Sequence, residues 1–227
     1  MVTAIVLAAG RSTRMGGGPN KQFIEILGKP LVCYSLAAFE QCCAVDAVVV
    51  VRRPDCAAQA EQVVQRFGFK KVVAFADGGV ERQNSVWNGL EKCDRTTEIV
   101  AVHDGARPLA TPALIEATVA SARSLGTGIA ATKVVDTIKE ANADKTVLRT
   151  VDRTKLWAMQ TPQTVRFTLL RQAYAKVFEK QLVVTDEAAA VELLGHRVDL
   201  VETAFLNLKI TTAADLAIAE ALIRQRP

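Results

Sequence analysis

A cationic, glycine-rich segment near the start of the chain has the residue types needed to hold phosphate groups. It runs from Gly10 to Lys21 and follows a short apolar segment of strand type. Arg11, Arg14 and Lys21 supply positive charge, and the three glycines at 16–18 let backbone N–H groups approach anionic oxygens. This chemistry suits the phosphates of a nucleoside triphosphate. The alternative is an ordinary strand followed by a flexible surface loop with incidental arginines.

The segment matches none of the common nucleotide-binding or hydrolase motifs. It has no G-x-G-x-x-G, so the dinucleotide-binding pattern is absent, and it lacks the second glycine that a P-loop places before its lysine. The chain also has no G-x-S-x-G, which excludes the usual α/β-hydrolase nucleophile. The loop therefore predicts phosphate binding without assigning a motif class.

Three further polar segments are placed where a ligand would meet an α/β sheet. They follow a predicted strand or precede a predicted helix, at 78–85, 103–108 and 207–212. In open α/β sheets, ligands bind beyond the carboxyl ends of the strands. Each segment alone has an ordinary explanation as a turn, a helix cap or a solvated surface. Their common position predicts that they form one site together with the loop that begins at Gly10.

The first 132 residues alternate between strand-like and helix-like runs. The predicted strands are 3–9, 47–51, 71–76, 98–103 and 128–132. The predicted helices between them are 31–43, 54–67, 81–93 and 112–125. Because the strands are apolar on both faces, this pattern predicts a Rossmann-like α/β fold, with a mainly parallel sheet and helices on both faces.

The second half of the chain returns to the same pattern after an interruption. Residues 156–163 are apolar and then turn-like, and helices are predicted at 166–180 and 186–194, the latter with Thr185 as its N-cap. A strand is predicted at 198–201. The last helix, at 213–223, begins with the capping-box pair Thr212 and Asp215.

The interruption has the pattern of a long β-hairpin. Residues 134–140 and 146–153 alternate apolar with polar side chains, and the turn-rich stretch 141–145 lies between them. A two-stranded hairpin is only marginally stable alone, so we expect it to pack on another surface. A second copy of the chain and the chain's own sheet are equally good candidates for that surface.

The composition excludes several function classes. Half of the 227 residues are hydrophobic, 23% are charged and the net charge is +4, with the basic residues scattered, so we expect no nucleic-acid partner. No apolar run reaches about 18 residues and no signal peptide is found, so we expect no membrane partner. The five cysteines form no C-x-x-C and favour a reducing, cytoplasmic location, and because the chain has two histidines we expect no His-rich metal site.

Six motifs occur in an order that resembles one enzyme family over essentially the whole chain. They are LAAGRSTRM…NKQF, GGVERQNSVWNGL, VHDGARP, TVDRTKLWAMQTPQ, TDEAAAVE and NLKITTAADL. LAAG-x-x-x-RM is shared with sugar-nucleotide transferases generally, whereas VHDGARP together with N-x-K-I-T is more specific. The set is similar to the 2-C-methyl-D-erythritol 4-phosphate cytidylyltransferases of non-mevalonate isoprenoid synthesis.

The resemblance implies an architecture, a reaction and a set of site residues. It implies one nucleotidyltransferase domain over 1–227, with 133–156 as a protruding arm that forms a homodimer. CTP and a polyol phosphate would be the substrates, with Mg²⁺ held largely by the CTP phosphates and no protein metal ligand. The implied catalytic residues are Arg14, Lys21 and Lys209. The implied CTP-binding residues are Ala8, Ala9, Gly10, Gly79, Ser85 and Gly105. The implied residues for the second substrate are Asp104, Arg107, Thr161 and, from the partner's arm, Thr137 and Arg153.

Two rival functions remain open at this point. Ribitol 5-phosphate cytidylyltransferases share most of these motifs and differ in the polyol phosphate pocket. A nucleotide-sensing module without turnover is the rival from another class, and the presence of both Arg14 and Lys21 argues against it.

Overall fold

The computed structural model describes residues 1–10, 20–203 and 206–225. The strands of its seven-stranded sheet are β1 (Val2–Ala8), β4 (Ala47–Arg52), β5 (Val72–Asp77), β6 (Ile99–Asp104), β7 (Thr127–Lys133), β10 (Trp157–Arg166) and β11 (Leu200–Glu202). They lie in the order β11-β7-β10-β6-β1-β4-β5 across the sheet. The helices are α1 (Leu31–Gln41), α2 (Ala57–Phe67), α3 (Arg82–Leu90), α4 (Pro112–Leu125), α5 (Phe167–Glu179), α6 (Glu187–Glu192) and α7 (Ala213–Arg224). Two small hairpins, β2 (Glu25–Ile26) with β3 (Lys29–Pro30) and β8 (Ile138–Ala141) with β9 (Val147–Val151), lie outside this sheet.

The predicted mainly parallel sheet with helices on both faces is confirmed. Strand β1 pairs in parallel with both β4 and β6, and its side chains alternate between two apolar cores. Val6 packs with residues of α1, α2 and α4 on one face, while Ile5 packs with residues of α3, α5 and α6 on the other. Burial on both faces explains why these strands read as continuous apolar runs in the sequence.

Strand β10 corrects the interpretation of 156–163 as an apolar run that ends in a turn. It lies antiparallel between β6 and β7, and its register shifts between Met159 and Gln163. Pro162 lies within this irregular stretch, joined to Thr161 by a cis peptide bond. Proline has no N–H to donate to a strand ladder and is therefore uncommon inside sheets. For this reason the sequence of this stretch resembles a turn, although the stretch belongs to the sheet.

The first residues of α6 and α7 are fixed by side-chain caps. The N-cap of α6 is Asp186, whose side chain accepts a bond from the Ala189 backbone, so the prediction of Thr185 as the cap was wrong by one residue. Both residues are of cap-forming types, and only the backbone path decides between them. The capping box of Thr212 and Asp215 at the start of α7 is confirmed.

The predicted hairpin forms a sheet of its own. Strands β8 and β9 pair antiparallel with each other, and residues 139–150 are all exposed. The projecting arm is therefore confirmed within this chain, with strands shorter than the 134–140 and 146–153 predicted. The single-domain division and the dimerisation role of 133–156 stay predictions.

Among the described residues, no helix combines the length and the apolar character needed to cross a membrane.

Candidate active site

Two pockets adjoin each other at the carboxyl edge of the parallel strands, and they share a wall. Arg82, Asp104 and Lys209 belong to both linings. The first pocket has a volume of about 300 Å³, and its other lining residues are Leu7, Ala9, Gly10, Lys21, Gln22, Gly79, Val80, Glu81, Ser85, Ala106 and Thr211. The second has a volume of about 310 Å³, and its other lining residues are Arg107, Met159, Gln160, Thr161, Gln163, Thr185 and Asp186.

Backbone loops form the floor of the first pocket because small residues let them approach each other. A Cβ atom at Gly78 would lie 2.3 Å from Ala9 Cβ, so only glycine allows the loop after β5 to touch the end of β1. Gly79 N donates a 3.0 Å hydrogen bond to Ser85 Oγ, which fixes the loop against the first turn of α3. The result is a narrow, backbone-lined surface beside the cations.

Lys21 enters the first pocket from a short 3-10 helix, Lys21–Phe23. Asn20 caps this helix, and its side-chain amide donates to the Ala8 carbonyl at 3.2 Å, which anchors the helix to the end of β1. Lys21 Nζ donates to the Ile210 carbonyl at 2.8 Å. This bond joins the loop after β1 to the segment that carries Lys209.

The shared wall is built around the carboxylate of Asp104. Lys209 Nζ lies 2.8 Å from Asp104 Oδ2, Arg82 Nε donates to Oδ1 at 3.3 Å, and Arg107 Nε lies 3.7 Å from Oδ2. Burial alone would raise the pKa of the Asp104 carboxyl, but the surrounding cations hold that pKa well below its ordinary value. Asp104 is therefore an anionic hydrogen-bond acceptor at neutral pH.

A chain of hydrogen bonds behind this wall orients Thr161 and Asp104. The Asp104 backbone N–H donates to Thr161 Oγ1 at 3.0 Å, Thr161 Oγ1 lies 3.0 Å from His103 Nδ1, and His103 Nε2 lies 3.3 Å from the Arg107 carbonyl. A carbonyl only accepts, so Nε2 carries the proton and Nδ1 accepts from Thr161. Burial lowers the pKa of His103 to about 4, which keeps this neutral tautomer at pH 7.

Most of the predicted site residues meet at these pockets. Lys21, Ala9, Gly10, Gly79 and Ser85 line the first pocket, Arg107 and Thr161 line the second, and Asp104 and Lys209 line both. Arg14 lies outside the described residues.

The remaining predicted residues occupy other positions. Ala8 is buried within β1, and Gly105 is buried with its N–H donating to the Leu7 carbonyl, so neither belongs to a pocket lining. Thr137 and Arg153 lie on the exposed arm, where Arg153 donates to the Val135 carbonyl, and neither lines the pockets of its own chain. Their predicted roles stay predictions.

Arg82 and Glu187 form a partly buried ion pair at the pockets that was not predicted from the sequence. Arg82 belongs to both pocket linings, and its guanidinium donates to both carboxylate oxygens of Glu187 at 2.7 and 3.0 Å. Burial disfavours the charge of Arg82, but Glu187 and Asp104 raise its pKa well above the ordinary value. The sequence does contain one indication of this pair. Glu187 lies in the otherwise apolar run 187–191, and an acidic residue in such a run suggests a buried charge with a partner.

The described residues provide little for a protein-held metal ion. Within the part of the chain that the structure describes, no group of three His, Cys, Asp or Glu side chains could hold a metal. The carboxylate common to both pockets, Asp104, already faces three cations. The expectation of Mg²⁺ held largely by the CTP phosphates stays a prediction.

The parallel sheet with cation-lined pockets at its carboxyl edge defines a nucleotidyltransferase-like α/β protein. The family model described as "IspD: 2-C-methyl-D-erythritol 4-phosphate cytidylyltransferase" matches residues 2–225 of the chain. The chain belongs to this family.

Individual relatives agree with the family match over nearly full length. The chain is 45% identical over 231 residues to the 2-C-methyl-D-erythritol 4-phosphate cytidylyltransferase of Pelotomaculum thermopropionicum, covering 99% of this chain and 95% of that protein. It is 44% identical over 223 residues to the enzyme of the same name from Geobacillus thermodenitrificans, covering 98% and 97%.

Solved structures also share this fold. The 4-diphosphocytidyl-2C-methyl-D-erythritol synthase of Anaerococcus prevotii superposes with a TM-score of 0.86 at 28% identity, covering 99% of this chain and 96% of that one. The 2-C-methyl-D-erythritol 4-phosphate cytidylyltransferase of Thermus thermophilus gives a TM-score of 0.80 at 31% identity, covering 97% and 98%.

Proposed function

We propose that the chain transfers the cytidylyl group of CTP to the phosphate of 2-C-methyl-D-erythritol 4-phosphate. The products are 4-diphosphocytidyl-2-C-methyl-D-erythritol and pyrophosphate. The observation that carries this proposal is the pair of adjoining pockets with Arg82, Asp104 and Lys209 as their common wall. Two phosphorylated substrates bound side by side would bring their reacting phosphates together at that wall.

The reaction follows from positioning and charge stabilisation. An oxygen of the methylerythritol phosphate attacks the α-phosphorus of CTP, and the bond from that phosphorus to the bridging oxygen of pyrophosphate breaks. A phosphate monoester is largely ionised near pH 7, so its attack needs no general base. This agrees with linings that contain no histidine or cysteine among their described residues. Electrostatic stabilisation of the five-coordinate phosphorus supplies most of the catalysis.

The first pocket suits CTP. Ala9, Gly79 and Ser85 would frame the cytosine, with Gly10 contributing backbone nearby. Ala8 and Gly105 are buried outside the lining, so their proposed role is to shape the ends of β1 and β6 behind it. Lys21, together with Arg14, would hold the triphosphate and offset the charge that develops at the α-phosphorus. The close approach of Gly78 to Ala9, and the hydrogen bond from Gly79 N to Ser85 Oγ, support the proposed position of the base between these loops.

The second pocket suits the polyol phosphate. The ionised Asp104 carboxylate would accept hydrogen bonds from substrate hydroxyls, while Arg107 and Thr161 would line the same space. Lys209 would bridge the phosphates of the two substrates, because 39% of its side chain is exposed and it belongs to both linings. Each of these roles requires a side chain that the fold already holds in place.

Mg²⁺ is the proposed cofactor, held largely by the CTP phosphates. Bound there, it would neutralise phosphate oxygens and favour pyrophosphate as a leaving group. The residues of this chain would then orient the phosphates through Lys21 and Lys209 rather than bind the ion directly.

The active unit is proposed to be a cytoplasmic homodimer. Five free cysteines suit a reducing compartment. The arm carries exposed apolar side chains, including Val147 at 61% and Leu148 at 57%, which a second copy would cover. Thr137 and Arg153 of one copy would then reach the polyol phosphate of the other.

Pyrophosphate release from CTP and Mg²⁺ tests the proposal. We expect release with methylerythritol 4-phosphate and little with ribitol 5-phosphate at equal concentrations. Release with ribitol 5-phosphate alone would retain the mechanism and reject the substrate. No release with either compound, despite measurable CTP binding, would reject turnover and favour a nucleotide-sensing role.

A further inference from the structure

Arg82 divides its guanidinium between two carboxylates at the boundary of the pockets. Its Nη1 and Nη2 donate to Glu187 Oε1 and Oε2 at 2.7 and 3.0 Å. Only Nε is directed to Asp104, at the longer distance of 3.3 Å. A quarter of the Arg82 side chain remains exposed, at a position where it lines both pockets. Glu187 therefore holds the two terminal nitrogens of Arg82 away from Asp104.

Glu187 itself is held rigidly in the interior. It is 0% exposed, and Tyr174, also 0% exposed, donates from its hydroxyl to Glu187 Oε1 at 2.9 Å. A buried carboxylate is costly unless it is paired and fully hydrogen-bonded. With two bonds from Arg82 and one from Tyr174, this carboxylate has a single well-determined orientation.

The start of α6, which carries Glu187, is tied to the strand that carries Thr161. Gln163 of β10 accepts from the Ala188 backbone at 3.0 Å and donates to Asp186 Oδ2 at 3.0 Å. Gln163 is 1% exposed, so these bonds lie in the interior. The position of Glu187 is thus set by the same strand that shapes the polyol phosphate pocket.

We infer that Glu187 is a positioning residue, which keeps Arg82 at the shared wall and leaves the Asp104 carboxylate available to the polyol phosphate. Arginine and carboxylate prefer a two-bond, fork-to-fork geometry. Without the Glu187 charge, Arg82 would form that pair with Asp104, and the Asp104 carboxylate would be withdrawn from the hydroxyls of the polyol phosphate. This inference rests on the proposed function, in which Asp104 binds substrate hydroxyls.

The test is steady-state kinetics of Glu187→Gln. We expect the KM for methylerythritol 4-phosphate to rise and kcat to fall, with kcat/KM for that substrate lower by about 10–100-fold, the range produced by misplacing a group in an active site. The KM for CTP should change by less than about 3-fold, because the base and triphosphate contacts lie on the other side of the wall. Glu187→Asp should recover part of the loss, since it restores the charge.

A double-mutant cycle separates positioning from general stabilisation. If Glu187 acts through Arg82, Glu187→Gln should add little to the kinetic defect of Arg82→Gln. The matched control is Glu91→Gln, which breaks an exposed pair with Arg171 at 2.8 Å, and should leave both KM values unchanged. Tyr174→Phe is the second variant, because it removes one bond to Glu187 without changing volume, and should lower kcat/KM in the same direction by a few-fold.

The outcomes distinguish this inference from the proposed function. An inactive wild type would reject the proposed function itself. An active wild type with near-normal Glu187→Gln kinetics, or with fully additive effects of the two substitutions, would overturn the positioning role. If Glu187→Gln does not fold, an unchanged kcat/KM in both Glu187→Asp and Tyr174→Phe would overturn it.

Discussion

At the scale of single residues, the charges of this site are arranged around Asp104 and Lys21. Asp104 faces three cations from three segments of the chain, so it is ionised and oriented before any substrate binds. Lys21 contacts the segment that carries Lys209 through the Ile210 carbonyl. Such preorganised charge is effective because it needs no rearrangement when negative charge develops on the α-phosphorus.

Lys21→Ala tests the role of Lys21, one of the cations that line the first pocket. We expect turnover to fall by about 10²–10³-fold, the scale of losing one preorganised stabilising group. The comparison is Lys92→Ala, an exposed lysine beyond the far end of α3, which should retain wild-type kinetics. Near-normal turnover of Lys21→Ala would remove this lysine from the mechanism.

The buried His103 predicts an acid-sensitive fold. Its folded-state pKa of about 4 lies below the 6.5 of the unfolded chain, so the unfolded state binds more protons between these values. The free energy of unfolding should therefore rise with pH from about 4 to 6.5. Above pH 6.5 the contribution of His103 to that free energy should stay constant. The His103 contribution is about 3 kcal/mol across the interval.

Urea denaturation at a series of pH values measures this dependence. His103→Gln should lower stability at pH 7 and should lose less further stability than the wild type when the pH falls to 4. His196→Gln replaces the exposed histidine and should follow the wild-type curve. Parallel curves for the wild type and His103→Gln would contradict the prediction.

At the scale of elements, α3 and the glycine loop before it set the shape of the first pocket, the proposed CTP site. A Cβ atom at Gly79 would lie 2.3 Å from Asn84 Cβ and 3.1 Å from the Asn84 carbonyl carbon. Asn84 belongs to the capping box that starts α3, since its side chain accepts from the Glu81 backbone at 3.1 Å. The loop and the start of the helix are thus one closely packed unit.

Gly79→Ala should displace the start of α3, together with Ser85. We expect the KM for CTP to rise by about 10-fold or more, with a smaller effect on the KM for the polyol phosphate. Asn88→Ala is the comparison on the same helix, because it removes a 2.8 Å bond to the Asp77 carbonyl outside both pocket linings. Asn88→Ala should lower the melting temperature without changing the KM for either substrate. If Gly79→Ala also lowers only the melting temperature, the glycine loop does not shape the CTP site.

At the scale of the whole molecule, the arm is an exposed segment, because residues 139–150 are all exposed in a single copy of the chain. Among the described residues its two strands pair with each other and with no further strand, and Val135, Val147 and Leu148 are each more than half exposed. A two-stranded hairpin with this much apolar exposure is stabilised by packing on another surface. A second copy of the chain is the proposed surface.

Mixed dimers test whether the arms complete each other's sites. Arg153→Ala alone should raise the KM for the polyol phosphate more than the KM for CTP. Mixed with Lys21→Ala chains, it should recover activity, because one site per mixed dimer then combines an intact Lys21 with an intact Arg153. Arg149→Ala, which breaks an arm-internal pair with Glu140, is the matched control and should leave the KM unchanged. No recovery in verified mixed dimers would reject the exchanged arm.

The alternation of strands and helices, and the segments that form the site, could be predicted from the amino-acid sequence alone. Local periodicity decides which residues form a strand or helix, and the carboxyl ends of parallel strands necessarily meet at one edge. The segments that begin at Gly10, Gly78 and His103 could therefore be assigned to one edge before any contact was known. The family resemblance then connected their residues to a reaction.

The pairing of residues distant in sequence became visible in the folded chain and not before. Strand β10 inserts antiparallel between β6 and β7, although its Thr161–Gln163 stretch has the composition of a turn. Arg82 and Glu187 meet across 105 positions of sequence, and Thr161 and His103 meet across 58. Local propensity contains no information about such pairs, because their energy depends on burial and on partners that only the folded chain brings together.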